Sequence, residues 1–452
     1  MADFSKMNMQ EFAREGGYDC ACGRNHHVGI KYLCVRPGAI ETVPEALQVL
    51  GASYPYVVCD HNTYEAAGKK VIALLESAGV KYRLCVLPVR EERTRPEELE
   101  LGTVAMHAHP DCDLILGVGS GVINDICKIY GFMTGKPNMI VGTAPSMDGY
   151  ASNSSSMEVS NVKTTIYTQL PSAIILDIDI IKNAPMRMLW AGFGDIMAKF
   201  LSVCEWKISN IVTGEYYCDN VAGIMRSAAN KVIEIAPKLT ARDPEAIQII
   251  AEGLIAAGVA MSYAEMSRPA SGLEHHFSHM WEMMALERGE PYDLHGIQVG
   301  VATLIVCRIY DKLKKFTPNR EKAEAFLKNF DEKAWEANVE RVFGKTAPEI
   351  YAIEKKAGKN SPEKHKARME AILAHWDEIH QTMMEELPDY DRIYEAMKVT
   401  GMPMEPADIG IGAQDVHDAF VCSRDMRDRY LMSSMLWDIG ELEDFANEFF
   451  PV

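Results

Sequence analysis

The chain has 452 residues, of which 48% are hydrophobic and 24% are charged, a composition typical of folded globular proteins. A chain of this length predicts two or three domains rather than a single core. The formal net charge of −18 disfavours nucleic-acid binding, which requires Lys and Arg to neutralise phosphates. A small anionic substrate stays compatible with that charge, because a local pocket can oppose the global sign.

The start of the sequence and its cysteines predict a cytoplasmic protein. Residues 1–6 contain no apolar signal core, and we find no run of eighteen apolar residues that predicts a membrane span. The eleven cysteines are scattered, several of them within apolar runs, as expected of reduced, buried thiols. Cys20 and Cys22, followed by His26 and His27, differ. We interpret them as a tight turn that enters a strand, with a metal or redox role as the alternative, because C-x-C is a poorer chelate than C-x-x-C.

The first part of the chain alternates strands and helices. Short continuous apolar runs predict buried strands at residues 56–60, 82–87, 114–119, 138–142 and 173–177. Helical spacing of apolar residues occurs between them, at residues 63–78 and 123–132. Continuous apolar strands that alternate with helices indicate a parallel sheet covered on both faces.

Beyond residue 179 the pattern becomes helical. Apolar residues recur at helical spacing in five segments, residues 186–207, 217–236, 244–265, 296–313 and 362–397. We therefore predict the α/β class, with an N-terminal Rossmann-like parallel-sheet domain over residues 1–182 and an all-helical domain over residues 183–452.

Residues 117–125 form a glycine-rich turn where a strand runs into a helix. Glycines at such a turn let the backbone approach a diphosphate, whose charge is met by the N–H groups at the helix start. The spacing differs from G-x-G-x-x-G, so a tight turn that binds no ligand is the alternative.

Residues 143–156 follow the next strand and are crowded with short hydroxyl side chains. At the carboxyl end of a parallel strand, such a loop suits phosphate, ribose or nicotinamide contacts, and a polar surface loop is the alternative. Asp60 ends an earlier strand, where its carboxylate could accept hydrogen bonds from an adenosine ribose. Its charge would disfavour a 2′-phosphate, which favours NAD over NADP.

Four of the thirteen histidines fall within twenty-one residues: His275, His276, His279 and His295. A helix would place His275 and His279 on one face, whereas His276 would point about 100° away. Asp195 is the one carboxylate in the segment 192–199, which is apolar apart from Asp195 and the final Lys199, and a buried carboxylate is costly unless it is paired or bound to a metal. Two histidines and this carboxylate could hold a metal and leave positions open for substrate. A helix N-cap after Gly194 is the alternative for Asp195.

These segments, in this order, resemble the iron-containing alcohol dehydrogenase and dehydroquinate synthase-like superfamily. Within it, the chain is most similar to the bacterial branch of the sn-glycerol-1-phosphate dehydrogenase family. The resemblance spans most of residues 20–435, and its most specific part is the Ser-Gly-x-Glu-His-x-Phe-Ser-His run at residues 271–279. General glycerol dehydrogenases lack that run. Ser120 departs from the pattern, because many relatives carry glycine there.

The resemblance implies a dehydroquinate synthase-like fold with the active site in the cleft between the two domains. It implies Asp195, His275 and His295 as ligands of one divalent metal, with His279 and Asp148 as substrate contacts. Besides Asp60, the implied cofactor contacts are Gly119, Ser120, Gly121, Val122, Ile123, Thr143, Ala144, Pro145, Ser146 and Ser152.

The implied reaction is hydride transfer between NAD(H) and C2 of dihydroxyacetone phosphate, giving sn-glycerol 1-phosphate for phospholipid metabolism. NADP(H) is the alternative cofactor. The ligand set suits zinc, nickel or iron(II), and the resemblance favours zinc or nickel. Lys163, Lys199 and Arg268 are candidates for binding the substrate phosphate on charge alone. The resemblance also implies a homo-oligomer, a dimer or larger.

Three other functions compete with this one. A polyol dehydrogenase acting on a non-phosphorylated substrate would share the cofactor and the metal. A dehydroquinate synthase-like cyclase would release phosphate and regenerate its NAD. A binding or scaffolding protein that kept the fold has no physical need for an open metal site, so the metal triad and both cofactor loops argue against it.

Overall fold

The computed structural model describes residues 3–90, 94–159 and 162–452. In chain order the strands are β1 (Tyr18–Asp19), β2 (Asn25–His26), β3 (Tyr32–Arg36), β4 (Pro55–Asp60), β5 (Arg83–Leu87), β6 (Leu114–Gly119), β7 (Asn138–Gly142), β8 (Ser154–Val159), β9 (Val162–Tyr167) and β10 (Ala173–Asp177). The helices of the first half are α1 (Met9–Phe12), α2 (Val43–Leu50), α3 (His61–Thr63), α4 (Lys69–Ser77), α5 (Glu98–His107), α6 (Gly121–Thr134), α7 (Ile178–Ile181), α8 (Met186–Met197), α9 (Lys199–Thr213), α10 (Asp219–Leu239) and α11 (Pro244–Ala264).

The helices of the second half are α12 (Leu273–Arg288), α13 (His295–Leu313), α14 (Arg320–Lys328), α15 (Glu332–Phe343), α16 (Ala347–Ala357), α17 (Pro362–Ala374), α18 (Trp376–Glu386), α19 (Tyr390–Thr400), α20 (Ala413–Cys422), α21 (Met432–Asp438) and α22 (Leu442–Phe449). A π-helical turn at Tyr64–Gly68 joins α3 to α4, so the single helix predicted at residues 63–78 forms as one rod with a widened turn.

The sheet is parallel and six-stranded, in the order β3-β10-β7-β6-β4-β5. Every residue of β4, β6, β7 and β10 is buried, because apolar side chains leave both faces of these strands. Val57 and Leu116 pack into the core on one face, and Tyr56 and Ile115 into the core on the other. The predicted α/β class with a parallel sheet is confirmed.

The order of the strands reverses beside β4. From β4 the chain crosses to β5 on one side, whereas β6 leads to β7 on the other side. Such a reversal opens a crevice at the carboxyl ends of the strands, where α/β sheets bind their ligands. Asp60 ends β4 and Gly119 ends β6, so the two predicted cofactor segments flank this crevice.

Grouped by compactness, the described chain forms two units. Unit 1 comprises Met1–Ile196 and Asp219–Ser267, and unit 2 comprises Met197–Cys218 and Arg268–Val452. These differ from the predicted segments 1–182 and 183–452, because α10 and α11 join the unit that carries the sheet. There α11 packs on α10 and on the 3₁₀ turn at Asp148–Ala151. Helical periodicity shows that a helix has an apolar face but not which core that face joins.

Two predicted helices are shorter than their periodicity suggested. Residues 186–207 form α8 and α9, which break at Ala198, and residues 362–397 form α17, α18 and the start of α19. Leu387 ends α18 in an extended conformation before Pro388, whose ring excludes the helical conformation of the residue ahead of it. The edge strand β3 and the β8–β9 hairpin were not predicted.

Helix α11 is long and apolar enough to cross a membrane. However, 72% of its most apolar eighteen-residue window is buried inside the protein. A helix that is apolar on all sides and packed among other elements is typical of a core helix.

Candidate active site

In the glycine-rich turn at the end of β6, the main chain lies close to the first turn of the helix that follows. Ser120 links β6 to α6, a helix of fourteen residues. A Cβ on Gly119 would lie 2.5 Å from the side chain of Ile123, so this position requires glycine. The first N–H groups of a helix have no acceptor within it, and those of Gly121, Val122 and Ile123 suit a diphosphate.

The serine-rich loop after β7 is hydrogen-bonded to this turn. The Thr143 N–H donates to the Gly119 carbonyl at 3.0 Å, and the hydroxyls of Ser120 and Ser146 are 2.6 Å apart. The buried Tyr150 hydroxyl donates to the Ala144 carbonyl at 2.7 Å, and this hydrogen bond holds the loop in place. The structure therefore brings together the predicted cofactor residues from Gly119 to Ile123 and from Thr143 to Ser146.

Lys128 is an organising residue that the sequence analysis missed. Its side chain is fully buried, and Nζ donates to the carbonyls of Gly149, Ser152 and Ser154 while pairing with Asp125 at 3.1 Å. It thereby anchors the main chain on both sides of Ser152, a predicted cofactor contact. The available signal was a lysine on the buried face of an otherwise apolar helix, three residues after an aspartate.

Asp60 acts locally as a helix cap. Its Oδ1 accepts from the Thr63 N–H at 2.8 Å and its Oδ2 accepts from the Thr94 hydroxyl at 2.9 Å. Each carboxylate oxygen can accept a second hydrogen bond, so Asp60 keeps the capacity to bind a ribose. The ribose contact stays a prediction.

Asp195 lies inside α8, and its side chain is fully buried. Because α8 begins at Met186, the alternative that Asp195 caps a helix is wrong. Asp195 Oδ2 accepts from the Asp148 N–H at 3.0 Å, which places the predicted substrate contact Asp148 beside the predicted metal ligand. One turn earlier, α8 approaches the cofactor loop so closely that a Cβ on Gly192 would lie 1.9 Å from the Pro145 carbonyl oxygen.

In unit 2, the first turn of α12 carries His275. Its Nδ1 lies 2.8 Å from Glu274 Oε1, which also accepts from the Gly272 N–H at 2.9 Å. Because a carboxylate accepts hydrogen bonds, Nδ1 carries the proton and Nε2 keeps its lone pair. A carboxylate held behind a histidine in this way is the usual support of a metal ligand.

A second carboxylate, Glu282, supports the other two histidines. Glu282 is buried, with Oε2 at 3.2 Å from His279 Nδ1 and Oε1 at 3.6 Å from His295 Nδ1. The Ser278 hydroxyl also lies 2.9 Å from His295 Nδ1. The ring of His295 is 5.3 Å from that of His275 and 5.0 Å from that of His279. Unit 2 therefore clusters three imidazoles, each with its Nδ1 facing a carboxylate.

His276 takes a different role from its neighbours. It is fully buried, and its Nδ1 lies 3.0 Å from the Ser423 carbonyl. Burial, with Arg429 and Arg427 nearby, lowers the pKa of His276 well below its ordinary value. A neutral histidine bonded to the main chain packs the helix, in keeping with the direction of His276 about 100° away from His275.

The C-terminal segment contacts the loop that precedes α12, the helix that carries the histidines. Arg429 Nη1 donates to the carbonyl and the hydroxyl of Ser271, and the Met432 N–H donates to Glu205 Oε1 at 3.3 Å. Burial, with the charge of Glu274 nearby, raises the pKa of Glu205 well above its ordinary value. The C-terminal segment, which had no predicted role, thus holds the loop that starts α12.

The three cationic candidates for phosphate binding lie against other groups of the protein. Lys199 is buried and donates to the Ala270 carbonyl at 3.0 Å, and the buried Arg268 pairs with Glu215 at 3.1 Å. Lys163 lies on β9 in register with Glu158 of β8. None of these contacts brings the three cations together.

The chain is similar in sequence and in fold to known dehydrogenases. The sequence profile of the iron-containing alcohol dehydrogenase family matches residues 34–185. The chain is 36% identical over 300 residues to a protein from Halalkalibacterium halodurans named glycerol-1-phosphate dehydrogenase [NAD(P)+], covering 66% of this chain and 75% of that protein. A Bacillus subtilis protein of the same name is 35% identical over 274 residues, which cover 59% and 70% of the two chains.

Solved structures show the same fold at low sequence identity. A glycerol dehydrogenase from Schizosaccharomyces pombe matches with a TM-score of 0.59 and 14% identity, covering 93% of this chain and 90% of that one. An NADH-dependent butanol dehydrogenase from Thermotoga maritima matches with a TM-score of 0.58 and 13% identity, covering 94% and 99%. The fold is thus shared across dehydrogenases of different names. The 36% sequence identity over three quarters of the Halalkalibacterium halodurans protein, in contrast, indicates one particular family. The chain belongs to the glycerol-1-phosphate dehydrogenase family, within the iron-containing alcohol dehydrogenases.

Proposed function

We propose that this protein is an oxidoreductase that interconverts dihydroxyacetone phosphate and sn-glycerol 1-phosphate by hydride transfer at C2. The observation that carries the proposal is the cluster of His275, His279 and His295, each with Nδ1 facing a carboxylate, in a chain whose relatives bear the name glycerol-1-phosphate dehydrogenase. The proposed cofactor is NAD(H), because Asp60 would disfavour the 2′-phosphate of NADP(H).

Asp195, His275 and His295 are the proposed ligands of one divalent metal. The fit rests on donor chemistry: Asp195 is a fully buried carboxylate, and His275 presents Nε2 as its unprotonated nitrogen. Two imidazoles and a carboxylate suit zinc, nickel or iron(II), and the family resemblance favours zinc or nickel, which are the proposed metals. When bound, the ion acts as a Lewis acid at the C2 oxygen and stabilises the charge that develops there during hydride transfer.

The cofactor site is proposed at the carboxyl edge of β4, β6 and β7. The N–H groups that begin α6 would bind the diphosphate, and the loop from Thr143 to Ser146 would contact the nicotinamide end. When bound, the cofactor supplies the hydride, and the protein supplies position and electrostatics. Lys128 would hold Ser152 and its neighbours in place through the main-chain contacts described above.

His279 is the proposed proton carrier. Reduction of a ketone leaves an oxygen that needs a proton, and an imidazole is suited to deliver one near neutral pH. The His279 ring is partly exposed, and Glu282 orients it through Nδ1, so Nε2 is the nitrogen that would exchange the proton. Asp148, held beside Asp195 through its N–H, is the proposed second substrate contact.

Replacing Glu282 by glutamine is expected to weaken metal binding by about 10–100-fold, because the buried carboxylate that hydrogen-bonds to His279 and lies 3.6 Å from His295 Nδ1 becomes a neutral amide. The measurement is competition for zinc with a chelator of known affinity. Glu287→Gln on the same helix is the matched control, since Glu287 is solvent-exposed and pairs only loosely with Lys345 at 3.8 Å. Equal zinc affinity in both variants would contradict the role given to Glu282.

Substrate comparison separates the competing enzymes. The proposed function predicts that kcat/KM for sn-glycerol 1-phosphate exceeds that for glycerol by at least two orders of magnitude, because the phosphate supplies binding energy that glycerol lacks. A polyol dehydrogenase would oxidise both at comparable rates. A cyclase would release inorganic phosphate without a net change in NADH absorbance. A dimeric or larger assembly and a place in phospholipid metabolism stay predictions.

A further inference from the structure

The hairpin β1–β2 gathers a second group of residues with metal-binding side chains. Cys20 and Cys22 lie in the turn, and His26 lies in β2. The Cys20 N–H donates to the Arg24 carbonyl at 3.0 Å, and the Gly23 N–H donates to the Cys20 carbonyl at 3.1 Å. Gly23 has a φ of 84°, a left-handed conformation that favours glycine. The turn therefore folds both thiols back towards the strand that carries the histidine.

His26 is held in the tautomer that a metal ligand requires. It is fully buried, and its Nδ1 lies 2.7 Å from the carbonyl of Tyr263. A carbonyl only accepts hydrogen bonds, so Nδ1 carries the proton and Nε2 keeps its lone pair. Nε2 lies 3.2 Å from Cys22 Sγ, and the rings of Phe4 and Tyr263 fix the imidazole with centroids at 5.5 Å.

The spacing of the ligand atoms matches a tetrahedral ion. The two sulfurs and the imidazole nitrogen all lie within 4.8 Å of one another. Zinc bonds of about 2.3 Å to sulfur and about 2.0 Å to nitrogen, at tetrahedral angles, require about 3.5 Å between sulfur and nitrogen and about 3.8 Å between sulfurs. The 3.2 Å between Cys22 and His26 needs only a shift of a few tenths of an ångström.

We propose that Cys20, Cys22 and His26 bind a structural zinc ion, distinct from the active-site metal. The side chain of Asn220, at the start of α10, donates to Cys20 Sγ at 3.2 Å. Thiolate and imidazole ligands are typical of structural zinc, and here the ion would hold the turn of the β1–β2 hairpin against β2.

The test replaces bound metal with cobalt(II) in the full-length protein and records the near-ultraviolet spectrum. The proposal predicts a thiolate-to-cobalt charge-transfer band in the wild type, a signal that an Asp-His-His site cannot give. The band should vanish in the Cys20→Ser/Cys22→Ser double variant and weaken strongly in His26→Ala. His27→Ala is the matched control, because the neighbouring His27 is exposed, and it should keep the full band.

Metal content gives a second measurement. The wild type should hold about one more zinc equivalent per chain than the double cysteine variant. Asp195→Ala should retain the cobalt band, so failure of this site and failure of the active-site assignment are told apart. A wild-type protein without the band, or a double variant that retains it, would overturn the proposal.

Discussion

Replacement of His295 by alanine is expected to remove the active-site metal and to lower kcat/KM by about 10³-fold or more. His295 is the first residue of α13, its ring is partly exposed, and its Nδ1 faces Glu282 and Ser278. Loss of a Lewis acid costs several kcal/mol of transition-state stabilisation, and each 1.4 kcal/mol is a factor of ten in rate. Metal analysis and steady-state kinetics on the same preparation measure both effects.

Two further variants test the interpretation of that result. Asp195→Ala should show the same joint loss of metal and activity, because the proposed site needs all three ligands. His375→Ala is the control, since it also removes an imidazole from unit 2 but at an exposed position beside Glu378. Turnover near the wild-type rate in a His295→Ala protein shown to be free of metal would contradict the Lewis-acid role.

Replacement of Gly192 by alanine is expected to lower kcat/KM by about 10²-fold through the cofactor loop. An added Cβ would meet the Pro145 carbonyl oxygen at 1.9 Å, and neither α8 nor the loop can yield without main-chain movement. Displacement of reacting groups by about 1 Å can cost about 10²-fold in rate, and overpacking costs about 1–3 kcal/mol in the free energy of unfolding. Kinetics with NADH as the varied substrate and thermal denaturation measure the two effects.

Gly253→Ala in α11 is the matched control for this substitution. Its Cβ would lie 3.5 Å from the side chain of Ile196, an ordinary van der Waals contact. Replacing a glycine inside a helix by alanine favours the helix by about 1 kcal/mol, so this variant should be at least as stable as the wild type and equally active. If Gly192→Ala has the same kcat/KM and thermal stability as Gly253→Ala, then the position of the cofactor loop does not depend on the close approach of α8.

The sheet was predictable because burial on both faces leaves a continuous apolar run, as in β4, β6, β7 and β10. The edge strand β3 was missed although residues 32–35 form a short apolar run like that of β4, because Arg36 and then a proline end this run. The membership of α10 and α11 in unit 1 depends on which apolar face meets which core. Periodicity does not carry that information, since it reports only that an apolar face exists.

In the candidate site, the clustered histidines and glycines were found from the sequence, whereas their supporting residues were missed. Glu282 and Lys128 act through buried contacts with His279, His295 and three main-chain carbonyls, and a lone charged residue in a helix is usually an exposed one. Glu274 adjoins His275 in sequence, but only the structure shows its oxygen at Nδ1. Tautomers are set by such contacts, and spacing alone does not reveal them.

We propose that the protein reduces dihydroxyacetone phosphate with NADH in a metal-dependent reaction. The most direct test follows NADH absorbance when dihydroxyacetone phosphate is added to the chelator-treated protein, before and after zinc or nickel is restored. We expect no decrease in NADH absorbance without metal, and after metal is restored a decrease that matches the sn-glycerol 1-phosphate formed, mole for mole. A decrease of equal rate in the metal-free protein, or none after either metal is restored, would contradict the proposal.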